Sequence, residues 1–198
     1  MSDQVNVANN VGKPSDDEVR DAVKVLLRYT GDDPTREGLL ETPERVRKAW
    51  TEWFAGYDSD PKEHLYKWFE HVGGYDEIVV LKDIRLESFC EHHIAPIVGT
   101  VHIAYLPKDK VVGLSKLARV ADGYSKRMQV QERLTAQIAD AIEEVLDPRA
   151  VAVLIEASHL CTATRGVHKP NSRMVTSAMR GLFREDGAAR AEVMALFK

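Results

Sequence analysis

The stretch Ile84-Arg85-Leu86-Glu87-Ser88-Phe89-Cys90-Glu91-His92-His93 changes character part-way along. Up to Cys90 it alternates. Ile84, Leu86, Ser88 and Cys90 share one side, because successive strand side chains point to opposite faces. The alternation predicts a strand that delivers Cys90 to the end of a sheet. Cys90 and His93 then form Cys-x-x-His, a spacing that a tight turn wraps around one zinc ion. The complement is His159-Leu160-Cys161, which reads as an extended segment with His159 and Cys161 on one face. Cys90, His93 and Cys161 make three protein ligands and leave a fourth tetrahedral position for water, as in a catalytic zinc site. His92 and His159 remain beside it as proton carriers.

The elements on either side follow from periodicity. Val101, Ile103 and Tyr105 predict a second strand, and Leu106-Pro107-Lys108-Asp109 a hairpin connection. Ser115 is positioned to cap a helix carrying Leu117, Val120, Ala121 and Tyr124. A longer helix over 130–146 carries Leu134, Ile138, Ala141, Ile142 and Val145, and Asp147-Pro148 stops it. An apolar strand over 150–157 leads to His159. Residues 162–173 read as extended and then looped, and a helix over 187–197 closes the chain.

Upstream, residues 1–14 are polar and aperiodic, the pattern of a mobile tail. Ser15 and Glu18 form a capping box ahead of Val19, Ala22, Val23, Leu26 and Leu27 on one helical face. Thr42-Pro43 predicts a second helix start, with Val46, Ala49, Trp50, Trp53 and Phe54 as its stripe. Residues 61–71 predict a third, shorter helix before Gly73-Gly74. The organisation expected is a tail over 1–14, a helical region over 15–75 and a catalytic region over 76–198, one functional domain overall. Strands, helices and strands again predict an α+β fold with a mainly antiparallel sheet.

Composition narrows the function classes. A chain of 198 residues with 44% hydrophobic and 29% charged residues can bury its own core. A net charge of −4 argues against general nucleic-acid binding, which needs a basic face. No apolar run reaches membrane-spanning length, and the polar N-terminus lacks the regions of a secretory signal. Two cysteines are too few for a disulfide framework and sit among histidines, which predicts reduced thiolates in the cytoplasm.

Four ordered motifs carry a resemblance. Ser88-Phe89-Cys90-Glu91-His92-His93, Val112 to Arg119, Arg127 to Leu134, and His159-Leu160-Cys161 with Arg165-Gly166-Val167 resemble the signature of the GTP cyclohydrolase I family. The likeness runs in order from about Thr42 to Phe183. Met128 stands where the family prefers proline. The resemblance implies the tunnelling fold, a mainly antiparallel sheet with helices on one face and N-terminal helices before it. It also implies a toroidal homodecamer with intersubunit active sites, one Zn²⁺ per subunit, and GTP as substrate. The activity implied is hydrolytic opening of the guanine imidazole ring, with release of formate and formation of 7,8-dihydroneopterin triphosphate, the first step of tetrahydrofolate or pterin biosynthesis.

The implied roles suit the chemistry. Attack of water on C8 at neutral pH calls for a cation that lowers the pKa of water to about 7, and protonation of N7 calls for a histidine, either His92 or His159. Glu132, with Gln131 beside it, matches the guanine contact, since one carboxylate accepts N1–H and the 2-amino group together. Ser115 resembles the ribose contact. Lys116, Arg119 and Arg165 match the phosphate-binding cations, and Arg45 and Lys48 a further pair. Gly-x-x-x-x-Gly-Lys-Ser/Thr is missing from the chain, so the triphosphate is expected to be a handle and not a reacting group. His64, His71 and His102 lie outside these motifs and read as surface or core residues. The competing readings are another tunnelling-fold purine- or pterin-binding protein and a nonenzymatic assembly protein with a structural zinc.

Overall fold

A computed structural model describes residues 12–70 and 75–198. Residues 1–11 of the tail expected over 1–14, His71 and Gly73-Gly74 lie outside the described residues. The chain divides between Phe54 and Ala55 into two compact units.

The first unit is a helix pair. Helix α1 (Asp16–Tyr29) starts at the Ser15–Glu18 capping box, with both reciprocal hydrogen bonds formed. Its last residues give way to Gly31 at φ +89°, a left-handed conformation that glycine adopts without a Cβ penalty. Helix α2 (Thr42–Trp53) has Pro43 in its first turn, where a missing N–H costs nothing. Thr42 is already helical, and Glu41 precedes the helix without a side-chain cap. Glu44 of α2 accepts from Arg20 of α1 at 2.9 Å and from Arg47, which ties the helices together.

The second unit is built on a sheet with strand order β5-β2-β3-β6-β7. Strand β2 (Val79–Cys90), β3 (Pro96–Leu106), β6 (Ala150–His159) and β7 (Met174–Gly181) are antiparallel neighbours, and β5 (Met128–Gln129) adds two residues in parallel to the end of β2. The predicted alternation of β2 is present, with Ile84, Leu86 and Cys90 on the core side and Ser88 also buried. Two long helices cover that face. Helix α3 (Leu114–Ser125) contributes Leu117, Val120, Ala121 and Tyr124, and α4 (Gln131–Leu146) contributes Leu134, Ile138, Ile142 and Leu146. Fully burying each such aliphatic side chain is worth about 1.5–3 kcal/mol, so the helix stripes are what fix α3 and α4 to the sheet.

The opposite face carries a second apolar cluster. Phe183, on the short helix α6 (Leu182–Glu185), packs with Val193 and Phe197 of α7 (Gly187–Phe197) against Ala104, Leu106, Ala150 and Ala152. No helix among the described residues is long and apolar enough to cross a membrane.

Several local expectations are corrected. Residues Pro61–Tyr66 form a 3₁₀ helix, not the start of an α-helix reaching 71, and Trp68–Glu70 is strand β1. The segment after Leu106-Pro107-Lys108-Asp109 does not return along β3. It forms β4 (Lys110–Val112), which pairs with β1, because both edges of β3 are already taken by β2 and β6. Gly113, not Ser115, precedes α3, and Ser115 lies in the first turn of the helix. The stop expected at Asp147-Pro148 is present: α4 ends at Leu146, and Asp147 follows it in a left-handed conformation, φ 47°.

Candidate metal centre and active site

Cys90 is the last residue of β2 and is 5% exposed. Its amide donates to the Ala95 carbonyl at 2.9 Å, and its carbonyl accepts from Ile94 N at 2.8 Å and His93 N at 3.3 Å. The turn closes with Ile94 at φ +53°, a strained conformation for a β-branched residue. Such strain, of order 1–3 kcal/mol, persists only where surrounding contacts hold it. Two contacts do so here. Glu91 N donates to the Gln129 carbonyl at 3.1 Å, and the Glu91 carboxylate pairs with Arg133 on α4.

Cys161 arrives differently from the extended segment expected. Strand β6 keeps its β3 partner only as far as His159, which pairs with Ile97 one residue inside the start of β3. The chain then coils into the helical turn α5 (Leu160–Ala163), and the Thr162 hydroxyl donates to the His159 carbonyl at 3.0 Å. His159 and Cys161 are therefore brought together by a strand end and a helical turn, not by strand alternation. The ligand atoms of Cys90, His93 and Cys161 all lie within 4.8 Å of one another. Cys90 Sγ and His93 Nδ1 are 3.7 Å apart, close to the ~3.6 Å that zinc–sulfur and zinc–nitrogen bonds subtend at a tetrahedral angle. Two thiols and one imidazole suit a borderline-soft cation. Among the described residues no fourth cysteine, histidine or carboxylate joins the group. Burial and the nearby Cys90 sulfur push the Cys161 thiol pKa up, a preference that a divalent cation held by these thiols would reverse.

The two remaining histidines differ in setting. His92 is exposed, with Nδ1 3.8 Å from Cys90 Sγ. His159 is half-buried, and Nε2 lies 2.8 Å from Gln131 Oε1. Burial lowers the His159 pKa from its usual value, and the charge of Glu132 acts in the opposite sense. Glu132 is exposed in the first turn of α4, and its carboxylate has no hydrogen-bond or ion-pair partner among the described residues. It lines a cleft of about 490 Å³ with Ala136, Ser177, Met179, Arg180 and Arg184. Gln131 faces the other way. Its side chain is 0% exposed, and its amide donates to Ile155 O, Met174 O and Thr176 Oγ1.

The matches with known proteins are extensive. The sequence profile of the GTP cyclohydrolase I family matches residues 19–198. GTP cyclohydrolase 1 of Maricaulis maris is 55% identical over 186 residues, which cover 94% of this chain and 91% of that protein. The enzymes of that name from Sinorhizobium fredii and Brucella anthropi are 52% and 51% identical, over 94% and 98% of this chain and 91% of each relative. The chain belongs to the GTP cyclohydrolase I family.

The expected family site is only partly assembled within one chain. Cys90, His93, Cys161, His92, His159 and Glu132 gather at one end of the sheet, and the exposed Arg165 follows α5, close enough to lower the Cys161 pKa slightly. Ser115, Lys116 and Arg119 do not join them. Val112 N, two residues before α3, donates to Tyr105 OH, and Tyr105 pairs with Val79 and Val151 at the other end of β2 and β6. Eight residues of β3 separate Tyr105 from Ile97 beside His159, about 26 Å at ~3.3 Å per residue. Arg45 and Lys48 lie in the first unit, exposed on α2 and paired with Glu41 and Glu44.

Sequence reasoning did not single out the Glu91–Arg133 pair or Thr176. Arg133 stands inside the Arg127–Leu134 motif, so its place in that motif was the available signal. Thr176 sits in β7, a strand that the sequence reading left unassigned.

Proposed function

We propose that this chain is a zinc-dependent GTP cyclohydrolase I that opens the imidazole ring of GTP, releases C8 as formate, rearranges the ribose and closes a new ring to give 7,8-dihydroneopterin triphosphate. The observation that carries the zinc reading is the Cys90–His93–Cys161 cluster, three soft donors with no fourth protein ligand among the described residues. A zinc ion held there supplies a Lewis acid that makes water nucleophilic at neutral pH. His92 and His159 move protons at the purine ring and its opened product, with N7 as the first site. The carboxylate of Glu132, without a partner among the described residues, accepts N1–H and the 2-amino group of guanine, a donor pair that adenine does not present. Arg165, Lys116 and Arg119 hold the triphosphate, Ser115 the ribose, and no phosphate bond is broken. Arg45 and Lys48 are further candidates for the triphosphate.

The test is product analysis by mass spectrometry. GTP should yield formate and a product that keeps all three phosphates, and ATP should yield no formate. Inorganic phosphate released in step with turnover would contradict the reading.

We further propose that the active site lies between chains of a homo-oligomer, in the family pattern a toroidal decamer. The start of α3, which carries Lys116 and Arg119, lies beyond Val112 at the Tyr105 end of the strands, away from the ligand cluster, and that placement supports a shared site. Strand β7 also leaves one edge of the sheet without a partner strand among the described residues, an edge that another copy can cover. Co-expressed Cys161→Ala and Lys116→Ala chains should regain activity that neither has alone, because mixed boundaries contain one intact set of groups. Mixed oligomers with no recovered activity would contradict the shared site.

A further inference from the structure

Directions of hydrogen bonding around Gln131 can be assigned from the acceptors alone. Ile155 O and Met174 O are carbonyls and can only accept, so the NH₂ of Gln131 faces them at 3.2 and 3.0 Å. The reversed amide would set its oxygen against two carbonyl oxygens. Two threonines complete the arrangement. Thr135 Oγ1 donates its one proton to the Gln131 main-chain carbonyl at 2.7 Å. The contact of 2.7 Å between Thr135 and Thr176 must then use the Thr176 proton, which leaves Thr176 Oγ1 as an acceptor for Gln131 Nε2 at 3.0 Å. Thr135 is 1% exposed and Gln131 0%. In such a buried setting an unmade hydrogen bond is costly, so the pattern resists reversal.

One consequence reaches the site. Gln131 Oε1 is left as an acceptor only, and its partner is His159 Nε2 at 2.8 Å. We propose that Gln131, backed by Thr135 and Thr176, is a positioning residue that holds His159 with a proton on Nε2 and leaves Nδ1 as the nitrogen that exchanges protons with the substrate. His159 Nδ1 has no hydrogen-bond partner among the described residues, as a working nitrogen requires. Gln131 thereby acts through His159 and not on the guanine. The inference rests on the catalytic role of His159 proposed above, but the tautomer can be tested without turnover.

The direct test is ¹⁵N–¹H correlation NMR on the zinc-loaded, ¹⁵N-histidine-labelled protein. His159 should show a protonated Nε2 and an unprotonated Nδ1. The opposite tautomer would overturn the proposal. The kinetic arm uses Gln131→Met, which keeps volume and removes the acceptor. Its kcat should fall about 10- to 100-fold, the range for lost outer-shell partners. Zinc content should be unchanged and KM for GTP should stay within about two-fold. A raised KM with unchanged kcat would mean that the amide binds guanine, and the proposal would fall. Thr176→Val provides a milder variant. It should give a smaller kcat loss of the same kind, and a weakened Nε2–H signal if Gln131→Met does not fold. If unaltered protein released no formate from GTP, the functional reading would fail while the tautomer measurement stood apart from it.

Discussion

Replacing Cys161 with alanine should abolish zinc binding and GTP turnover together, if the proposed ligand set is right. The cluster has three protein ligands and no spare among the described residues, so the variant leaves only Cys90 and His93. Two donors do not hold zinc against chelation by buffer and water, and the site depends on a closed set of deprotonated ligands for its affinity. The fold should survive the change. Cys161 lies on a single helical turn at the rim of the core, while β6 and α4 are held by Val151, Val153, Ile155, Ile138 and Ile142, all fully buried. Metal analysis beside circular dichroism checks both halves. Stoichiometric zinc in Cys161→Ala, or collapse of secondary structure with the loss of metal, would count against the assignment.

Replacing His159 with alanine separates metal from chemistry. The side chain lies next to the cluster but is not part of it, so zinc content stays at one per chain. Turnover should fall by about 10²- to 10⁴-fold, the usual contribution of a positioned general acid or base. The loss should appear in kcat, because the guanine contact proposed for Glu132 is left in place. A small structural cost accompanies it, since Gln131 Oε1 loses the partner that it holds at 2.8 Å. Loss of zinc from His159→Ala would instead make the residue a ligand. Undiminished kcat would remove it from the mechanism.

Much of this architecture was legible because it follows simple periods. The period-two run from Ile84 delivers Cys90 to the end of β2, and the 3.6-residue stripe of Leu134, Ile138 and Ile142 marks α4. Capping chemistry located the start of α1, where Ser15 and Glu18 bond reciprocally. Other parts were hidden for physical reasons. Strand β7 mixes Val175, Thr176, Ser177 and Ala178, and its inward Thr176 meets a buried glutamine, so no apolar alternation betrays it. The pairing of β4 with β1 depends on which strand edges remain free, a long-range fact that no local window contains. His159-Leu160-Cys161 looked extended because its spacing suits a strand, yet the β3–β6 ladder ends at His159. The grouping of Cys90, His93 and Cys161 was readable while the turn that presents Cys161 was not. The distance between the Lys116 group and the cluster belongs to the same class, since Val112 to Arg119 carries the motif but not its place on the sheet.

Zinc K-edge absorption spectroscopy on the purified, metal-loaded chain tests the metal assignment most directly. The prediction is two sulfur scatterers at ~2.3 Å with nitrogen or oxygen neighbours at ~2.0–2.1 Å, and the same spectrum when His92 or His159 is replaced. A shell with fewer than two sulfurs, or one that changes with either histidine, would contradict the ligand set on which the proposed chemistry depends.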